Sequence, residues 1–351
     1  MSEEAAPAPA ASAARPPVMN FAAAAKRETR EKELKGVKLT GLVLLKIVKH
    51  CNSSLPNLVT GQLLGLDVGT TLEVTDCFPF PHAPVVEEDP APESANYQLE
   101  MMRCLREVNV DNNTVGWYQS TNFGAFETVE LLDTFINYYE SIPRCVCIVY
   151  DPKKSAHGNI ALKAIKLRES FIQIYKADGA PSAESLQAQG LTWRNIFQEV
   201  PITIQNSSLV SALMVQLDRD NKMRVDDLER MSLDTTAYLE KNLTCLGDCV
   251  DDLVQEQRKM STYHRNVVKQ QQQFQQWLQG RRQENARRAA AGEDLLPEED
   301  PVQFKPVPEP SRIDASLVTH QMNNYCEQVS SFANGALEKL YLSEGFQKTK
   351  G

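Results

Sequence analysis

The sequence predicts an α+β domain followed by a separate helical region, and two observations lead to this class. Short apolar or alternating runs typical of strands are mixed with amphipathic helical patterns up to residue 206, and only helical periodicity remains beyond it. Stretches rich in Gln, Arg and Pro divide the second part further. We predict a disordered Ala/Pro-rich tail at 1–35, the mixed domain at 36–206, a helical region at 207–268, a Gln/Arg-rich arm with an acidic Pro-rich linker at 269–313, and a final amphipathic helix at 314–345.

The composition excludes several classes of protein. With 42% hydrophobic and 24% charged residues among 351, the chain resembles an ordinary soluble protein that can bury a large core. A formal net charge of −9 argues against a general binder of nucleic acid or of anionic membranes. The start of the chain lacks the apolar core of a signal peptide. The 8 cysteines form no Cys-x-x-Cys pair, so we expect reduced thiols and a cytoplasmic location.

The mixed domain shows a recognisable series of elements. An alternating run at 37–42 is typical of an edge strand, and a helical pattern follows at 43–50. Two strands at 58–66 and 72–80 flank the turn sequence Asp67-Val68-Gly69 and predict a hairpin. Further along the chain we predict a helix at 97–106, strands at 145–150, 160–167 and 200–204, and a short helix at 191–197.

The stretch from Val115 to Gly124 is the most informative part of the domain. An apolar strand that contains Gly116-Trp117-Tyr118 ends in the polar residues Gln119-Ser120-Thr121, and a helical run follows at 126–136. This arrangement resembles the MPN domain. Active members of that family carry the JAMM zinc motif Gly-Trp-Tyr-His-Ser-His, then seven residues, Ser, two residues and Asp.

The resemblance assigns a position in this chain to each member of the zinc site. The two histidines fall on Gln119 and Thr121, and the serine and aspartate fall on Val129 and Leu132. The upstream glutamate falls on Leu58 if Gly61 is the strand glycine three residues after it.

These substitutions are incompatible with the family's chemistry. A catalytic zinc needs about three imidazole, carboxylate or thiolate ligands and an open position for water. Gln119 and Thr121 are poor zinc ligands, Leu132 offers no donor atom, and Leu58 cannot act as a general base. We therefore predict an MPN fold that is not an enzyme and holds no metal or cofactor. The polar residues at 119–121 are either an ordinary strand end or a degenerate groove that binds a peptide.

The rival interpretation keeps the enzyme class. In it, a metal-dependent isopeptidase uses a shifted ligand set such as Asp133 with a cysteine. Asp133 is a weak substitute, because one residue along a helix turns a side chain by roughly 100°.

The C-terminal helices carry two apolar stripes. The first is a heptad-like seam formed by Leu239, Leu243, Leu246, Val250, Leu253 and Met260. The second is formed by Val318, Met322, Tyr325, Val329, Phe332, Ala336 and Leu340. The two stripes could pack on one another within the chain. We favour an intermolecular bundle, because two lone helices separated by a long linker have little stability of their own.

Several motifs resemble a narrower family, the h subunits of eukaryotic translation initiation factor 3. They are Cys77-Phe78-Pro79-Phe80-Pro81, Leu99-Glu100-Met101-Met102-Arg103, Gly116-Trp117-Tyr118-Gln119-Ser120-Thr121, Lys269-Gln270-Gln271-Gln272-Gln273 and Leu296-Pro297-Glu298-Glu299-Asp300. The resemblance implies a structural component that supports the recruitment of mRNA and initiator tRNA to the small ribosomal subunit. It further implies that the MPN domain pairs with the f subunit and that the C-terminal helices enter a bundle shared with other subunits. A scaffold role in a proteasome lid or signalosome is the alternative.

Two further groups of residues are candidates for contacts. Met101 and Met102 on the predicted helix at 97–106 suit core packing and a dimer interface. Arg281, Arg282, Arg287 and Arg288 follow the aromatic residues Phe274 and Trp277. These arginines belong either to a solvated helix face or flexible arm, or to a surface that contacts RNA phosphates.

Overall fold

The computed structural model describes residues 33–81, 91–156, 160–178, 183–220, 236–291 and 307–348. The strands are β1 Gly36–Leu39, β2 Thr60–Val68, β3 Thr71–Pro79, β4 Thr114–Ser120, β5 Val146–Tyr150, β6 Leu162–Leu167, β7 Phe197–Val200 and β8 Ile202–Ile204. The helices are α1 Gly41–Ser53, α2 Ala91–Glu107, α3 Val129–Ser141, α4 Pro152–Ser155, α5 Glu169–Asp178, α6 Ala183–Ala188, α7 Ser208–Asp220, α8 Thr236–Ala291 and α9 Ile313–Lys348, with a short 3-10 helix at Trp193–Asn195. The predicted α+β class is confirmed.

The strands form one mixed sheet in the order β7-β6-β5-β4-β2-β3-β1-β8. Because only Pro201 separates β7 from β8, the two ends of this order are adjacent in the chain and the sheet curls on itself. The prediction of an edge strand at 37–42 is wrong, since β1 pairs in parallel with both β3 and β8. The partner strand β8 lies some 160 residues downstream, and local alternation carries no information about such a distant neighbour.

The two faces of the sheet carry two separate cores. On β4, Tyr118 packs with α1 on one face and Trp117 packs with α3 on the other, as the period of two along a strand requires. Thr40 caps the start of α1 and Thr128 caps the start of α3, each through its side-chain oxygen. The second core also includes Ile313 and Leu317 from α9. The last helix of the chain is therefore anchored in the mixed domain.

Helices α8 and α9 form an antiparallel hairpin within the chain. The ring centroids of Tyr238 and Phe332 lie 5.2 Å apart, and further along the pair Met260 and Ala315 line the same cavity. The intramolecular pairing of the two helices, the less favoured of the two alternatives, is therefore present, and Tyr325 of the predicted stripe is buried in it.

The boundary predicted between 268 and 269 is not a structural boundary. Helix α8 runs without a break through the Gln-rich run as far as Ala291, so residues 269–291 of the predicted arm are helical. The remainder of the predicted linker, 292–306, lies outside the described residues, as do residues 1–32 of the predicted tail. Within the described ranges, no helix is both long and apolar enough to cross a bilayer.

The close approach of β4 to β5 generates a test of the fold. A Cβ atom at Gly116 would lie 1.9 Å from the backbone carbonyl oxygen of Val146, so one of the two strands would have to move. We expect Gly116→Ala to lower the free energy of unfolding by about 1–3 kcal/mol in urea denaturation. Gly247→Ala is the control: it has open space around it on α8 and is expected to raise this free energy by up to about 1 kcal/mol. Equal effects of the two substitutions would contradict the packing of β4 on β5.

Candidate functional site at the corner between β4 and α3

The corner that the JAMM motif occupies in active relatives is built here by hydrogen bonds within the chain. The Ser120 hydroxyl accepts a hydrogen bond from the Val59 amide at 2.7 Å. The Thr121 amide donates to the carbonyl of Tyr150 at 2.9 Å, and its hydroxyl donates to the carbonyl of Ala125 at 2.8 Å. The Ser120 hydroxyl therefore binds the chain just before β2, the Thr121 hydroxyl closes its own loop, and the Thr121 amide joins the loop 121–128 to the end of β5.

The structure does not bring the five predicted zinc-site positions together as a donor set. Leu58 precedes β2 with 54% of its surface exposed, and Gln119 lies half-buried at the end of β4. Val129 is exposed at the first position of α3, while Leu132 is fully buried in the second core. Amide, hydroxyl and aliphatic groups do not supply the ligands that zinc requires, so zinc does not fit this corner.

The shifted ligand set is not assembled either. The Asp133 carboxylate accepts a hydrogen bond from the Tyr175 hydroxyl at 2.8 Å on the exposed side of α3. Burial raises the pKa of the Cys145 thiol to about 12, so this side chain is a thiol rather than the thiolate that binds metal. Among the described residues, no group of three His, Cys, Asp or Glu side chains is placed to hold a metal ion.

Instead of a metal, the corner holds a buried carboxylate from Glu127 that receives helix α9. His320 Nδ1 lies 2.5 Å from Glu127 Oε1, and the side-chain amide of Asn324 donates to the same oxygen. The Glu127 side chain is completely buried, and its second oxygen has no hydrogen-bond partner among the described residues. Burial raises the pKa of Glu127, and the bonds from His320 and Asn324 oppose that shift.

Aromatic rings surround the histidine of this pair. The rings of Trp193 and Phe197 approach the His320 ring edge-on, at centroid distances of 6.0 and 5.9 Å. From the other side of the loop, Phe123 contacts Tyr238 at the start of α8, with ring centroids 5.8 Å apart. Both helices of the C-terminal hairpin therefore meet the loop 121–128.

Gly124 allows α9 to approach the loop closely. Its carbonyl accepts a hydrogen bond from the Gln321 side-chain amide at 3.0 Å. Its backbone lies in the left-handed region with φ +75, and a Cβ there would lie 2.3 Å from Gln328 Nε2. The backbone conformation and the close approach of the helix therefore both favour glycine at this position.

A cavity of 340 Å³ remains beside the closed corner. It is lined by Thr121 from the loop, by Asp151 directly after β5, by Lys154 on α4, and by Gln328 from α9. Asp151 caps α4 through one carboxylate oxygen, and the other oxygen is buried without a hydrogen-bond partner among the described residues. Burial raises the pKa of Asp151, against the effect of its backbone hydrogen bonds. This cavity is the part of the corner that corresponds to the peptide-binding groove, one of the two alternatives for residues 119–121.

The residues that close the corner were missed by the sequence reasoning. Gln321, Asn324 and Gln328 recur at the spacing of one helical face and are all buried, but we assigned the face of this helix from apolar residues alone. Glu127 has no distinguishing local pattern, because a carboxylate near a helix start is ordinary. The sequence does contain a detectable signal, because Gln321, Asn324 and Gln328 form a polar stripe beside the apolar stripe of the same helix.

The predicted contact residues lie at different places. Met101 and Met102 are half-buried on α2. In the first stripe Leu239, Leu246, Leu253 and Met260 are half-buried, whereas Leu243 and Val250 are exposed; in the second, Val318, Met322, Val329 and Phe332 are half-buried. The four arginines Arg281, Arg282, Arg287 and Arg288 lie near the end of α8.

Comparison with known proteins decides the family. The model described as the JAB1/Mov34/MPN/PAD-1 ubiquitin protease family matches residues 32–144, and the model described as the C-terminal region of eIF3h matches residues 155–351. The chain is 52% identical to the H subunit of eukaryotic translation initiation factor 3 from Arabidopsis thaliana, over 92% of its length and 96% of the relative's. The chain belongs to the h-subunit family of initiation factor 3.

Other members of this family match over a similar share of the chain at lower identity. The H subunit from Salmo salar is 42% identical over 94% of this chain and 96% of its own length. The H subunit from Dictyostelium discoideum is 42% identical over 89% of this chain and 94% of its own. The resemblance of the motifs to this family is confirmed, and so is the MPN domain of this translation initiation factor component.

The buried carboxylate of this initiation factor chain predicts a pH dependence. Because the folded state holds the Glu127 proton more tightly than the unfolded state does, the contribution of this group to stability is fully present below pH 4.5, the ordinary pKa of glutamate, and is lost as pH rises through the raised pKa. Glu127→Gln keeps acceptors for His320 and Asn324 but cannot ionise. We expect protection of the α9 amides from hydrogen exchange to fall with pH in the wild type and to fall less in this variant.

The matched control for this experiment is Glu130→Gln. Glu130 is exposed at the start of α3, so the same chemical change there should leave the wild-type pH dependence in place. A pH profile of Glu127→Gln identical to that of the wild type would contradict the assignment of this dependence to the buried carboxylate.

Proposed function

We propose that this chain is a non-catalytic, structural subunit of initiation factor 3. In this proposal the MPN domain pairs with the f subunit, and the C-terminal helices join a bundle with helices of other subunits. The assembled factor then supports the recruitment of mRNA and initiator tRNA to the small ribosomal subunit in the cytoplasm. The observation that carries the proposal is the apolar seam that the chain's own hairpin leaves exposed on α8.

The hairpin and the seam use neighbouring faces of α8. Contacts with α9 come from Tyr238, which hydrogen-bonds to Gln328, and from Cys245, which contacts Tyr325. The predicted seam lies one position along, roughly 100° around the helix. Its members Leu243 and Val250 are 50% and 41% exposed. An intramolecular hairpin and an intermolecular bundle are therefore compatible on one helix.

Other helices expose further apolar surface of the same kind. Leu209 on α7 is 82% exposed, and Leu213 and Leu217 on the same helix are about half exposed. Towards the end of α9, Leu340 and Tyr341 are exposed as well. Apolar surface of this extent on several helices is typical of subunits whose helices are covered by partners.

The proposal assigns the five degenerate positions Leu58, Gln119, Thr121, Val129 and Leu132 no catalytic role. Helix α9 supports this, because its side chains Asn324 and Gln328 lie over the loop where a substrate would have to enter.

A scaffold role in a proteasome lid or signalosome is less well supported, because the relatives are named as initiation factor subunits. Purified chain that holds stoichiometric zinc and cleaves ubiquitin chains would overturn the non-catalytic assignment.

The exposed seam provides the main test. We expect Leu243→Asp with Val250→Asp to reduce co-purification of other initiation factor 3 subunits at least about tenfold, because two apolar side chains would no longer be buried at the interface. The control pair is Gln255→Asp with Thr262→Asp, which adds the same charge at exposed positions of α8 away from the seam. Equal recovery of partner subunits with the two double variants would contradict the bundle proposal.

A second proposal concerns RNA. The Arg281 guanidinium lies 5.2 Å from the centre of the Trp277 ring, and the rings of Phe274 and Trp277 are stacked at 6.2 Å. Aromatic rings with adjacent arginines are a common way to contact phosphates and bases. This cluster lies in the part of α8 that extends past the start of α9, where ribosomal RNA could reach it.

The RNA proposal is tested by crosslinking. We expect Arg281→Ala with Arg287→Ala to weaken crosslinking of the assembled factor to RNA, because two cations that contact phosphates are lost. Arg103→Ala with Arg106→Ala is the control, since it removes the same charge from α2. Unchanged crosslinking in the α8 variant would retire the proposal.

A further inference from the structure

A second cavity lies at the opposite end of α3 from the corner described above. It has a volume of 510 Å³ and is bounded by the end of α3, the start of β5, the end of β6 and the start of α5. Since α3 has 13 residues, the end of this helix beside the cavity is roughly 20 Å from the loop 121–128. It therefore belongs to neither the degenerate zinc corner nor the hairpin.

Arg144 in the wall of this cavity has an unused hydrogen-bonding edge. Its Nη1 donates to the Asp67 carboxylate at 2.5 Å and to the Gly69 carbonyl at 2.9 Å. Its Nε and Nη2 are buried without any partner among the described residues. The side chain as a whole is only 9% exposed, so water does not readily solvate these donors. A buried charged group with unsatisfied donors is costly unless a ligand satisfies them.

The two unsatisfied nitrogens define the shape of the missing acceptor. In a guanidinium group, Nε–H and one Nη2–H point in the same direction along one edge and form a fork. This fork matches two oxygens of a carboxylate or phosphate and gives a bidentate pair of hydrogen bonds. The bonds to Asp67 and Gly69 fix the opposite edge, so the fork is preorganised.

Two more cations line the same cavity. The Lys166 amino group is 3.9 Å from Glu33, a long distance for an ion pair. The Arg168 side chain is exposed and makes no ion pair with any described residue. Arg168 directly precedes α5, whose first backbone amides add positive potential at the same wall. The carboxylates of Glu33 and Glu169 also line the cavity, but both residues are exposed. The cavity therefore combines one buried fork with two further cations.

The remaining wall is apolar and suits a protein segment better than a nucleic-acid strand. Leu34, Phe135, Pro143 and Ile172 line it and could contact the carbon atoms next to an anionic group. A recessed cavity of this size accommodates one side chain with its neighbours, whereas polynucleotides are bound along open basic grooves.

We propose that this cavity, termed here the Arg144 cavity, binds a phosphorylated serine or threonine side chain of a partner protein. Each of the two Arg144 nitrogens has less than 1 Å² of accessible surface, so binding includes a shift of the side chains that cover them. The phosphate dianion then accepts the bidentate pair from Arg144 and pairs with Lys166 and Arg168. A phosphate is favoured over a carboxylate because it has a third oxygen for these two cations. The proposal is independent of the exposed seam on α8.

The test uses the full chain and a minimal probe. Binding of N-acetyl-O-phosphoserine methylamide is measured by calorimetry, beside the unphosphorylated compound, N-acetylglutamate methylamide and a twelve-nucleotide single-stranded RNA. We expect binding of the phosphorylated probe only. Arg144→Lys keeps a cation near Asp67 but removes the fork, and is expected to weaken this binding at least about tenfold.

Two exposed substitutions protect the test against a folding defect in Arg144→Lys. Arg168→Gln changes the exposed cation of the cavity and is expected to weaken phosphoserine binding several-fold, while the thermal unfolding midpoint stays unchanged. Lys153→Gln makes the same charge change at an exposed lysine near the corner, outside the Arg144 cavity, and should leave binding unaltered. Equal binding by wild type, Arg144→Lys and Arg168→Gln would overturn the proposal. So would equal binding of the glutamate probe, or RNA binding that requires Arg144 without any phosphoserine binding.

Discussion

The docking of α9 on the mixed domain depends on one buried carboxylate. Glu127 stands at the end of the loop 121–128 and accepts hydrogen bonds from His320 and Asn324 on a helix almost 200 positions later. Burying an ionised group is unfavourable unless it is paired, so these partners have to remain in place while the corner stays closed. Through this contact, the position of the C-terminal hairpin is linked to that of the β-sheet.

The same corner shows what occupies the positions that correspond to the zinc motif. Metal ligands normally have to be polar and accessible, whereas here Thr121 binds its own loop and Leu132 joins the core. Side chains from α9 take up part of the volume next to the strand end, with Gly124 allowing the helix to come near. The substituted zinc-site positions and the covering helix are therefore physically consistent.

Much of the mixed domain could be predicted from local patterns. The hairpin of β2 and β3, the strand that contains Trp117, and the helices α1 and α3 all follow from alternation, helical periodicity and turn residues. The pairing of β1 with β8 could not be predicted, because it joins residues far apart in the chain. The same limit applies to Glu127 with His320 and to the fork of Arg144, since a buried polar contact leaves no periodic trace at either end.

Helix α8 is a single rod of 56 residues, about 84 Å long if straight. Helix α9 begins beside Met260 and His264, so the last 27 residues of the rod extend roughly 40 Å past this point. A rigid extension of that length fixes how far the side chains at its end lie from the domain and which direction around the helix axis they face. The number of residues between the start of α9 and the cluster of Phe274, Trp277 and Arg281 therefore sets the distance and direction of this cluster from the sheet.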